Sequence, residues 1–94
     1  MAIGDDIQVP DRIYSERQLA KLLEISSAVK CECPNHLSKI VEALIGFEDY
    51  SKTCIIEGEE DARIHELLYR ETAAARHIME KALVELCAFE GFEV

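Results

Sequence analysis

Residues 57–61, Glu57-Gly58-Glu59-Glu60-Asp61, decide the fold. Gly58 has no Cβ and takes the left-handed conformation that closes a helix C-terminus. The three carboxylates behind it suit the first turn of a new helix, where unpaired N–H groups make a positive end. To the N-terminal side, Pro34 to about Glu57 reads as one helix. Leu37, Ile40, Val41, Leu44, Phe47, Ser51 and Ile55 share one broad face of it. To the C-terminal side a longer helix runs to about Glu90, where Gly91 stops it. Its main stripe is Ile64, Leu67, Leu68, Ala74, Ala75, Ile78, Met79, Ala82, Leu86 and Phe89. His65, Tyr69, Thr72, Leu83 and Cys87 form a flanking ridge.

Two long helices joined by a tight turn lie antiparallel. The expected fold is all-α: a short helix plus a long antiparallel helical hairpin. Such a hairpin buries too little by itself for its apolar content. The stripes are therefore expected to bury one another in a homodimer, as a four-helix bundle or an antiparallel coiled coil. The alanines of the third helix permit close packing and mark the expected dimer face.

Polar residues interrupt both stripes. Gly46 costs about 1 kcal/mol relative to Ala inside a helix and suggests a close helix contact. Glu48 falls on an apolar face, where a carboxylate must be paired, exposed at an edge or protonated. Glu71 lies on the stripe of the third helix. Glu48 and Glu71 suggest a buried polar layer that fixes register. With His65 and Tyr69 they make one candidate ligand pocket. A carboxylate-bridged di-iron bundle needs Glu-x-x-His on two helices. Ala62 and Ala74 occupy the acidic position before His65 and His77, so that motif is missing. His77 reads as a solvated surface residue.

Before the hairpin, Ser15-Glu16-Arg17-Gln18 is a capping box. Leu19, Leu22, Leu23 and Ile25 behind it give a short amphipathic helix. Residues 1–11 read as an irregular leader ended by Pro10, and residues 12–94 as a single helical domain.

Between the first two helices stands Cys31-Glu32-Cys33-Pro34-Asn35-His36. Pro34 suits the first helical position, which leaves Cys33 just outside the helix and His36 in its first turn. A thiol there faces the positive end of the dipole, which favours thiolate. Folding about Gly58 pairs position 36 with about position 81 and brings Cys31 and Cys33 near the level of Cys87. Cys54 lies at the far end of the helix. Cys31, Cys33, His36 and Cys87 are thus candidate ligands for a metal, with zinc the natural choice for three Cys and one His. The C-x-C spacing departs from the usual C-x₂₋₄-C. A redox thiol pair is a further reading, and simple packing of Cys87 another.

Composition narrows the classes. The 94 residues make one small domain. A formal charge of −9 opposes a nucleic-acid surface and an anionic membrane surface. No apolar run is long enough to span a bilayer. Met1 to Val9 lacks the basic and apolar regions of a secretory signal, so a cytoplasmic protein with free thiols is expected. No phosphate loop, nucleotide fingerprint or triad points to an enzyme.

Arg12-Ile13-Tyr14-Ser15-Glu16-Arg17-Gln18-Leu19-Ala20-Lys21-Leu22-Leu23-Glu24-Ile25 resembles the latter part of a MerR-type DNA-binding domain. That family carries Arg-x-Tyr, a polar capping stretch and a helix with Leu and Ile at helical spacing. Leu37 to Leu44 is similar to its next helix, and the Cys31-to-Leu37 run to a cysteine-containing variant. The resemblance implies a long helix that pairs two subunits, with an effector or metal site beside it. The family's helix-turn-helix precedes Arg-x-Tyr, and residues 1–11 cannot form it. The expectation is a non-enzymatic MerR-like dimerisation or effector-sensing module without its own DNA reader. Its partners would be a second copy or a full-length regulator protein.

Overall fold

The structure, a computed structural model, describes residues 6–94. Those residues form three helices and no strand: α1 (Glu16–Ser26), α2 (Cys33–Thr53) and α3 (Glu59–Glu90). None is long and apolar enough to cross a membrane. The first part of the leader, residues 1–5, lies outside the described residues.

The capping box forms as read from the sequence. Ser15 Oγ accepts from the Gln18 N–H at 3.1 Å, and Gln18 Oε1 accepts from the Ser15 N–H at 2.9 Å. Leu19 and Leu22 are buried, while Leu23 and Ile25 are only half-buried. At the other end of the chain, Gly91 adopts φ 75° and closes α3. The Phe92 N–H then donates to the Cys87 carbonyl at 2.9 Å, and the Phe92 ring folds onto the core.

The α2–α3 connection differs from expectation. α2 stops at Thr53, because Cys54 is extended at ψ 139°. Gly58, at φ 93°, begins α3 instead of ending α2. The longer connection shifts the register by roughly one and a half helical turns. Lys52 lies over the Tyr69 ring and Glu48 reaches Arg76, so partner numbers fall along α3 as they rise along α2.

The faces that pack together within the chain are not the main stripes. α2 buries Pro34, Ser38, Val41, Ile45, Glu48 and Ser51. α3 buries Tyr69, Thr72, Ala73, Arg76, Glu80, Leu83 and Cys87. The flanking ridge is thus the packed one, apart from half-buried His65. Most of the main stripe of α3 turns away from α2, with Leu67 50%, Ile78 55% and Phe89 83% exposed, while Met79 packs against the core. Ile40 and Phe47 on α2 are likewise exposed. Small side chains explain the choice: Ser38, Ser51 and Ala73 are almost wholly buried and let the backbones approach. The apolar core, Tyr14, Leu19, Leu22, Val41, Ile45, Leu83 and Cys87, gathers at the α1 end.

Gly46 marks no contact among the described residues, since a Cβ there would meet none of them within 4 Å. Gly46→Ala should therefore stabilise the fold by about 1 kcal/mol in chemical denaturation. A loss of stability would mean that something does pack on Gly46.

Candidate functional site

Arg76 is fully buried in the middle of α3, and it uses every N–H of its guanidinium. Nε donates to Glu48 Oε1 at 2.9 Å, and Nη2 to Glu48 Oε2 at 3.5 Å. Nη1 donates to Glu80 Oε1 at 2.8 Å, one turn along α3. The remaining donors hold the leader: Nη1 to the Asp11 carbonyl at 3.1 Å and Nη2 to the Pro10 carbonyl at 2.6 Å.

Glu80 completes the grip. Its Oε2 accepts from the Ile13 and Tyr14 N–H groups at 2.9 and 3.1 Å. Between these anchors Arg12 points outward, donating to Glu48 at 3.3 Å and Asp49 at 2.6 Å. Burial disfavours the charge on Arg76, but the hydrogen bonds to Glu48 and Glu80 more than offset it and hold the guanidinium protonated. The leader, expected to end at Pro10, is instead strapped across the helices from Pro10 to Tyr14.

Sequence reasoning placed Glu48 in a polar layer but missed Arg76 and Glu80. Their signal was their spacing. Residues 69, 72, 73, 76, 80, 83 and 87 trace one helical face through both charges. Glu71, the other expected member of the layer, is exposed on the opposite side of α3. His65 is half-buried, its Nδ1 2.8 Å from the Asp61 carbonyl, which requires a proton on that nitrogen. Tyr69 is buried beneath Lys52. The four residues Glu48, His65, Tyr69 and Glu71 thus have separate surroundings. His77, expected at the surface, is half-buried, and its enclosed Nδ1 has no hydrogen-bond partner among the described residues.

The cysteines divide likewise. Cys31 and Cys33 are both exposed free thiols, close enough for Cys31 to act on Cys33. Cys33 is the first residue of α2, with Glu32 as its cap and Pro34 next. Its thiol is pushed up, first by Cys31 and also by Glu90, against the thiolate expected from the helix dipole. The shifted register explains why Glu90 and not Cys87 acts on it. His36 is exposed. Cys87 is buried, and the Tyr14 hydroxyl donates to its Sγ at 3.9 Å. Among the described residues no three His, Cys, Asp or Glu side chains gather to hold a metal ion.

Beside Tyr14 and Cys87 an open groove of about 440 Å³ runs between the strap and the end of α3, walled by Ile13, Val84 and Phe92. The Tyr14 phenol is pushed up by burial and by Cys87, and burial pushes the Cys87 thiol up.

Comparison of the chain with protein-family models, with curated proteins and with solved structures gave no match.

Two tests follow from the site. Arg76→Ala leaves Glu80 buried without its cation and Glu48 with Arg12 alone, and should cost about 3–5 kcal/mol in denaturation. Arg12→Ala, at a part-exposed pair, should cost no more than about 1 kcal/mol. Equal losses would deny Arg76 its place at the centre. The second test is alkaline. Below the ordinary thiol pKa of about 8.5, Cys87 is protonated both folded and unfolded and costs nothing. Above it the unfolded chain releases a proton that the folded chain retains, so stability falls as pH rises. Melting temperature should drop between pH 8 and 10, and Cys87→Ala should flatten that slope; an unchanged slope would refute the assignment.

Proposed function

We propose that this chain is a non-enzymatic regulatory module that acts as a homodimer, joined through the outward face of α3. One observation carries the reading. Ile64, Leu67, Leu68, Ile78 and Phe89 recur at helical spacing along the side of α3 that turns from α2, and all are exposed. Ala74, Ala75 and Ala82 lie among them. Scattered exposed apolar residues are ordinary on a monomer, but a continuous stripe along a helix marks an interaction surface.

The shape of the molecule supports the same reading. Its extents are 49 × 18 × 18 Å, a rod whose length α3 spans. A second α3 laid along it would bury the stripe over its whole length. The layout agrees with the MerR-like resemblance of residues 12–25, in which a long helix pairs two subunits. The groove beside Tyr14 and Cys87 is where such a module would receive a small effector, since its volume falls in the range of ligand pockets. A full-length regulator presenting a similar stripe would be the alternative partner.

Ala75→Glu places a carboxylate in the middle of the proposed interface. It should convert dimers to folded monomers in sedimentation velocity, with helical content unchanged by circular dichroism. A dimer that survives Ala75→Glu would exclude this face.

A further inference from the structure

The outward face of α3 reads alike in both directions. Its seam positions are Ile64, Leu68, Glu71, Ala75, Ile78, Ala82, Glu85 and Phe89. They alternate steps of four and three residues, which is a coiled-coil spacing. Reversing the order gives the same alternation, so the seam superposes on its own inverse about a point between Arg76 and His77.

From this we infer that the second copy lies antiparallel, with its two-fold axis at that point. Ile64 then meets Phe89 of the second copy, Leu68 meets Glu85, Glu71 meets Ala82, and Ala75 meets Ile78. The assignment rests on the α3 dimer proposed above and adds its direction and register.

Charge decides the direction. In a parallel pair at the same level, Glu71 faces Glu71 and Glu85 faces Glu85, two like-charge contacts on the seam. Like charges directly opposed destabilise a helical interface. In the antiparallel pair each glutamate faces an apolar residue, and Lys81, exposed beside Ala82, comes next to Glu71 of the second copy. Size agrees with charge. The small residues Ala74 and Ala75 lie beside the axis, where Ala75 faces Ile78, and allow close approach. The bulky Ile64 and Phe89 lie at the ends, where they cover one another. A charged residue within a seam sets register at some cost in stability, which gives Glu71 a role that its exposure in one chain hides.

A charge-reversal cycle tests this. Glu71→Lys, Lys81→Glu and the double variant are compared with wild type by sedimentation equilibrium at low salt. Each single change sets like charges together at two symmetric places and should weaken the dimer about tenfold. The double variant restores opposite charges and should recover most of the loss. Singles without effect, or a double variant no better than the singles, would overturn the register. Mixing wild type with Glu71→Lys supplies the second arm. Preferential heterodimers would indicate a parallel seam and overturn the direction. A wild-type chain that stays monomeric is a separate result, since it removes the dimer itself. Glu71 and Lys81 are both exposed, so circular dichroism should show all variants folded.

Discussion

A buried guanidinium sets the terms for this fold. Arg76 cannot lose its charge and has no acceptor, so the chain must bring oxygen atoms to all of its donors. It does so from three directions: Glu48 on α2, Glu80 on α3, and the carbonyls of Pro10 and Asp11 from the strap. Each partner fixes something. Glu48 fixes how far α2 slides along α3. Glu80 fixes the strap through two backbone N–H groups. The strap in turn carries Tyr14 into the core, where its hydroxyl meets Cys87. An apolar side chain of equal size would pack as tightly but would accept several registers. The directional bonds of Arg76 accept one, at the cost of desolvating the ions.

That arrangement inverts the usual distribution on α3. Charged Arg76 and Glu80 face inward, and Ile64, Leu67, Ile78 and Phe89 face outward. A polar layer between α2 and α3 supplies specificity with modest hydrophobic gain, and the apolar core stays at the α1 end. The apolar stripe of α3 is then left for a different surface. Inward ion cluster and outward stripe are two sides of one helix, which ties the position of the strap to the helix that would meet a second copy.

The sequence revealed the helical class, the capping box at Ser15 and the start of α3 after Gly58, because each is a local signal. Which face of each helix packs inward was not local. Hydrophobic periodicity found the strongest stripe on α3 and left it for a second copy, but it did not show that small Ser38, Ser51 and Ala73 with the charges of Arg76 and Glu80 make the flanking ridge the one packed against α2. The end of α2 was misplaced by a few residues through Gly58, and that error carried Cys87 toward Cys31 and Cys33. Glu48 was recognised as a carboxylate needing a partner. Arg76 was not, because a lone arginine at helical spacing reads as a solvated charge until its acceptors are seen. The strap was the least legible part, since its bonds are made by backbone groups.

The proposed function requires that a second copy cover the outward face of α3. Sedimentation equilibrium of the unmodified chain, over micromolar to millimolar concentrations and under reducing conditions, tests it most directly. A reversible dimer of twice the 10.6 kDa chain mass is expected. A single species at the chain mass throughout that range would contradict it.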